Sequence, residues 1–190
     1  MGWNEVITVL QEEVMGTIEG TFTPQDNIPF FTVCYPPEEE VNAIKEFTFF
    51  LQRLQADDVP SGIFSMKDVL KEALIELGVA SEDSGSAIAE YERSKNRKEI
   101  KEDLTRYLPE QVSDIMLRKL RDKDRNYVAM LLRTGALYPF VRTSSIRAKM
   151  ENKIRCVAII AYPANNIGEM LNDASFKLGA YYRGEIIYWR

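Results

Sequence analysis

The chain has no histidine among its 190 residues. Without imidazole there is no Ser-His-Asp or Cys-His arrangement, and catalytic zinc sites lose their usual ligand. Cysteine is nearly missing as well. Cys34 and Cys156 are the two present, each inside an apolar run, where a cysteine reads as a small buried hydrophobe in the reduced state rather than half of a disulfide or metal pair. The 10 glycines never fall at the spacings of G-x-x-x-x-G-K-[ST] or G-x-G-x-x-G. Tyr35-Pro36-Pro37 stands where a glycine-rich phosphate cradle would stand, and two prolines remove two backbone N–H donors. Hydrolysis of ATP or GTP is therefore not expected. No stretch approaches the about 20 apolar residues that span a bilayer. Met1-Gly2-Trp3-Asn4-Glu5 lacks the basic and apolar regions of a secretory signal, so the expected location is the cytoplasm, away from membranes.

What is present is ordinary globular material, 45% hydrophobic and 28% charged, in a length that suits one α/β domain over residues 1–190. The net charge of −5 hides an asymmetry: residues 1–89 carry 16 acids against 4 bases, and residues 90–190 carry 13 acids against 20 bases. Such a division favours docking to a partner of mixed sign. It argues only weakly for nucleic acid, which needs a more concentrated basic patch.

Periodicity divides the chain into alternating elements. Residues 4–16 read as a helix with Ile7, Leu10 and Val14 on one face. Phe30 to Tyr35 reads as a buried strand stopped by Pro36-Pro37. A helix begins at Pro37, with Glu38-Glu39-Glu40 facing the positive end of its dipole, and runs through Val41, Ile44, Phe47, Leu51 and Leu54. Ile63 to Met66 suggests a second strand, and Ser65 with Asp68 the capping box of the next helix, which Gly78 closes. Residues 80–125 read as a charged linker and helical insertion: from Glu90 to Arg125 there are 11 Lys/Arg and 9 Asp/Glu, and Pro109 is expected to split the helix. Tyr127–Leu132 and Ile154–Ile160 read as strands covered on both faces, and Glu185–Trp189 as a fifth strand at an edge. The expected fold is an α/β, mostly parallel five-stranded sheet flanked by helices.

Acid-based nuclease chemistry has three weak candidates: Glu99-Ile100-Lys101, Glu151-Asn152-Lys153 and Asp122-Lys123-Asp124. Solvated helical faces generate such triplets freely, and no upstream strand aspartate completes a metal site. The expectation is no catalytic residue, no metal and no cofactor. The carboxyl ends of the strands are where open α/β sheets bind ligands, and they hold Lys67 and Asp68; Arg133, Thr134 and Gly135; and Tyr162, Pro163, Asn165 and Asn166. Arg142 and Arg183 lie beside Phe140-Val141 and Tyr181-Tyr182, where an arginine either pairs with a buried carboxylate or meets a partner. The candidates for partner or ligand binding are Arg133, Arg142, Tyr162, Tyr181, Tyr182 and Arg183, with Lys149 and Lys177 read as solvated charges.

Leu132-Arg133-Thr134-Gly135-Ala136-Leu137-Tyr138-Pro139-Phe140-Val141-Arg142 carries a T-G-x-x-x-x-P-F-x-R segment after a strand. A second apolar strand ending in Tyr162-Pro163 follows, then Tyr181-Tyr182-Arg183 and a last strand. Over residues 127–190 this resembles the BrxB family of BREX bacteriophage-exclusion systems. The resemblance implies a non-enzymatic assembly subunit whose partners are protein components of the system, an alkaline-phosphatase-superfamily member and an adenine methyltransferase, with DNA reached indirectly. Self-association stays open. The other reading of the residues is a degenerate NTPase-like domain that binds a nucleotide or DNA.

Overall fold

Pro29 and the Pro36-Pro37 pair fence off six residues that form β1 (Phe30–Tyr35), all of them buried. The computed structural model describes residues 2–80, 93, 95–164 and 184–189. Around β1 stand α1 (Trp3–Glu19), α2 (Glu40–Ala56), β2 (Ser61–Ser65), α3 (Met66–Glu76), α4 (Arg97–Leu120), β3 (Val128–Leu132), α5 (Thr143–Met150), β4 (Val157–Pro163) and β5 (Glu185–Tyr188). The five strands are all parallel, in the order β2-β3-β4-β1-β5. A parallel sheet needs both faces covered, and the pleat divides its side chains accordingly. Phe31, Val33 and Tyr35 of β1 join Val128, Met130, Leu132, Val157, Ile159 and Ala161 under α1 and α2. Phe30, Ala129, Leu131, Ala158 and Ile160 face α3, α4 and α5.

Several local expectations are corrected. Ser65 precedes α3 but its side chain makes no capping bond. The β4 strand starts three residues later than its apolar run, because Ile154 and Cys156 are already buried against the helices before pairing begins. Pro109 does not split its helix: α4 runs unbroken through it, with Ser113 Oγ donating to the Pro109 carbonyl at 2.6 Å. An interior proline costs about 3 kcal/mol. Leu108, Val112, Ile115, Met116 and Leu120, all essentially inaccessible, offset that by burying one stripe of α4 against the sheet and α3. The first part of the predicted linker, from residue 81, lies outside the described residues.

The charge asymmetry becomes spatial. Residues 2–60, which supply α1 and α2, hold eleven acids and two bases. Residues 66–80 and 95–155, which supply the opposite helical layer, hold eleven acids and eighteen bases. Within that basic layer, Lys119 meets Glu72 at 2.8 Å, Arg118 pairs with Glu76 and Lys149 meets Glu110 at 2.9 Å. Lys149 is therefore not simply solvated: it ties α5 to α4. These pairs are half-exposed and each contributes under about 1 kcal/mol.

Cys34 and Cys156 are both buried and neither forms a disulfide. Burial pushes the Cys34 thiol up to about 12 and the Cys156 thiol up to about 11. The thiolate is the reactive form, so both should resist modification on two counts. Labelling of the native protein at neutral pH should run at least about a hundredfold slower than of the unfolded chain, as mass spectrometry of timed aliquots would report. Fast labelling of both would contradict the burial of β1 and of the approach to β4.

Candidate functional site

Neighbouring strands β1 and β4 send the chain to opposite edges of the sheet, β1 through α2 to β2 and β4 onward to β5. Doubly wound sheets bind ligands at such a switch point, outside the carboxyl ends of the strands. Here the end of β1 is packed against α1 and α2. The Ala164 N–H donates to the Tyr35 carbonyl at 2.8 Å, lacing the two strand ends together. The Tyr35 ring is buried, 5.7 Å from Trp3 and 6.2 Å from Phe47 between ring centres, and Trp3 lies 6.2 Å from Trp189. Tyr35 Oη donates to Glu40 Oε2 at 2.5 Å, and Trp3 Nε1 donates to Glu39 Oε2 at 2.9 Å. Burial, then the bond to Glu40, pushes the Tyr35 hydroxyl well above its ordinary value. Glu39 is held below the usual carboxylate range, first by Trp3 and then by Asn42. A phosphate at the amino end of α2 would meet two prolines and two glutamates where a cradle offers N–H groups. Tyr162, at the end of β4, is half-buried on the same edge.

The second feature is the loop that joins β3 to α5. Arg133 adopts a left-handed conformation, φ 59° and ψ 38°, which turns the chain as β3 ends. Thr134 then drops inward: it is buried, and its Oγ1 donates to the Ala161 carbonyl of β4 at 2.6 Å. Leu137 and Val141 are buried in the core shared with α3, α4 and α5, and the Val141 N–H donates to the Leu137 carbonyl at 2.9 Å. A Cβ at Gly135 would come 3.4 Å from Pro163, so the loop lies directly against the end of β4. Between these anchors Tyr138 is lifted into solvent at 84% exposure, the highest of the large apolar side chains described. Arg133 and Arg142 are exposed at the two ends of the same loop, and the Arg142 carbonyl accepts from the Ser145 N–H at 3.0 Å as α5 begins.

The structure thus brings Arg133 and Arg142 together on one loop and sets Tyr162 on the neighbouring strand end. Tyr181, Tyr182 and Arg183, with Asn165, Asn166 and Lys177, lie outside the described residues. Lys67 and Asp68 are exposed on the first turn of α3. Among the described residues the arginine buried among apolar groups is Arg147, 3% exposed, its guanidinium carbon 5.7 Å from the centre of the Phe30 ring, whereas Arg142 is exposed. Its signal was helical spacing, since Arg147 shares the buried stripe of α5 with Ile146 and Met150. Tyr138 was missed too, because its exposure follows from the burial of Thr134, Leu137 and Val141 around it.

The acidic triplets do different work. Glu99 Oε2 accepts from the Asn96 N–H at 3.3 Å to cap α4, and Asp122 and Asp124 are exposed in the turn after it. Among the described residues no group of three or more His, Cys, Asp or Glu is placed to hold a metal ion, and no helix is long and apolar enough to cross a membrane.

Comparison with known proteins gives one family. A family model described as BREX protein BrxB matches residues 66–186, more than half of the chain. No curated protein matches. Among solved structures, a chain of Drosophila ORC bound to poly(dA/dT) DNA and Cdc6 is similar at 14% identity and a TM-score of 0.43, over 100% of this chain and 31% of that one. The chain spans about a third of that protein's length, and the likeness is too low to carry an argument.

Proposed function

This chain belongs to the BrxB family, and from that premise we propose that it is a non-enzymatic assembly subunit of a BREX phage-defence system, acting in the cytoplasm by docking to protein components. The observation that carries this reading is the loop 133–142, in which Thr134, Leu137 and Val141 are fixed in the core while Tyr138 stands 84% exposed. A rigid scaffold that holds an aromatic in water between two exposed arginines offers the residue types that dominate interface energetics, at a low entropic cost of ordering. The proline pair with Glu39 and Glu40 at the start of α2 counts against a phosphate site there. The partners we propose are the alkaline-phosphatase-superfamily and methyltransferase components, with DNA reached through them. The alternative, a nucleotide bound beside α2, has the switch-point position in its favour but Glu39, Glu40 and two prolines against it.

The test is affinity capture of the other BREX components from cells that express the whole system. Tyr138→Ala should lose at least about tenfold in captured partner, the range of an interface hot spot. Tyr107→Ala, which removes a 47% exposed tyrosine on α4, should capture as the parent does. Equal capture by both variants, at unchanged thermal stability, would remove the loop from the interface.

A further inference from the structure

We propose that the exposed face of α2 pairs antiparallel with the same face of a second copy of this chain, Phe49 against Phe49, with Glu46 of each copy meeting Arg53 of the other. This surface is separate from loop 133–142, and its partner is the chain itself.

The layer of α1 and α2 is acidic, and the two bases of residues 2–60, Lys45 and Arg53, are both exposed on α2. Ala43, Phe47, Phe50, Leu51 and Leu54 of that helix turn inward. A helix turns about 100° per residue, so Lys45, Phe49, Gln52 and Arg53 share the outward side, where Phe49 stands 59% exposed. Glu46 is half-buried along the border of that side nearest Arg53. Among the described residues, the side chains of Glu46 and Arg53 make no hydrogen bond or ion pair. They cannot pair with each other within one helix. Seven positions separate them, about 10 Å along the axis, whereas helical partners stand three or four apart.

Phe49 lies three residues after Glu46 and four before Arg53. A second α2 laid antiparallel across Phe49 therefore sets each Glu46 opposite the other copy's Arg53. Two-fold symmetry brings like borders together and forms this pair twice. Lys45 falls opposite Gln52 in the same register, so no like charges are opposed. Such self-complementarity is what an isologous interface needs, and a foreign partner would not require it. The paired aromatics supply most of the buried apolar area, while the ion pairs mainly fix the register. One helix from each copy buries less than about 1,200 Å², which puts the dimer among weak complexes, with a Kd of about a micromolar or above. The helix α2 covers the opposite side of the sheet from the core that holds Leu137 and Val141, so the pairing leaves loop 133–142 open.

The experiment is sedimentation equilibrium of the purified full chain from about 1 to 300 µM, a range that spans a weak monomer–dimer equilibrium. Phe49→Ala should weaken dimerisation by at least about tenfold, with the melt in dilute solution unchanged. Glu46→Arg and Arg53→Glu should each weaken it by about tenfold, because each places like charges opposite one another twice. Lys45→Glu alters the net charge as much as Arg53→Glu does and should stay within about threefold of the parent. An equimolar mixture of Glu46→Arg with Arg53→Glu should form a heterodimer at close to parental strength, as should the chain that carries both changes. That rescue also shows that the variants fold. A parent that stays monomeric over the whole range overturns the inference. So does a dimer that tolerates Phe49→Ala and Arg53→Glu, or charge variants that the mixture fails to rescue. If Phe49→Ala leaves self-association intact but lowers capture of the other BREX components, the face belongs to a foreign protein and the inference is overturned.

Discussion

Phe47→Ala should destabilise the protein by about 3–5 kcal/mol, the usual cost of deleting a fully buried phenylalanine, while Phe49→Ala two residues away should cost less than about 0.5 kcal/mol. Both side chains lie on α2, and a helix turns about 100° per residue, so positions two apart point to different sides. Phe47 is inaccessible and sits 5.7 Å from Trp3, ring centre to ring centre, in an edge-on contact. It also lies 6.2 Å, ring centre to ring centre, from Tyr35 at the end of β1. Phe49 is 59% exposed. For a domain of this size each kcal/mol shifts the melting midpoint by about 2–4 °C. The two midpoints should therefore differ by roughly 5–20 °C. Similar midpoints would mean that α2 is rotated from the orientation described.

Gly184→Ala should be nearly as damaging, for a reason of backbone geometry. Gly184 has φ 96°, a conformation an L-residue reaches at a cost of about 1–3 kcal/mol. Any Cβ there would also collide with the Phe30 carbonyl oxygen and lie 3.1 Å from Arg147 Nη2. The glycine lets the chain cross the start of β1 closely before β5 begins, and Phe31 then pairs with Glu185. Alanine must push β5 away from β1 or shift Arg147 off the Phe30 ring. We expect a loss of about 2–4 kcal/mol, with amide exchange in β5 accelerating before the rest of the sheet. A variant with the parental midpoint and parental β5 protection would contradict this packing.

The sequence revealed those elements whose limits are set locally. β1 is found where it was read, because prolines bound it on both sides and all six of its residues are buried. The edge position of β5 was also legible. Elements decided by tertiary contacts were less so. The helix α5 was not read at all, since its eight residues carry only three buried side chains and its start, Thr143-Ser144-Ser145, resembles a loop. The continuity of α4 through Pro109 depends on the sheet beneath it, which periodicity does not see. The division of charge between halves of the sequence was plain, but its conversion into an acidic layer and a basic layer follows from which face each helix covers. At the candidate site, Arg133 and Arg142 could be named from their neighbours. The exposure of Tyr138 could not, because it results from Thr134, Leu137 and Val141 turning inward around it.

Hydrogen–deuterium exchange on the full chain, alone and in complex with the other BREX components, tests the docking account most directly. Exchange reports local opening and burial at each backbone amide. Upon assembly, peptides covering residues 133–142 should gain protection, and those covering the outer face of α1 should not. Formation of the complex with residues 133–142 exchanging as they do in the isolated chain would contradict it.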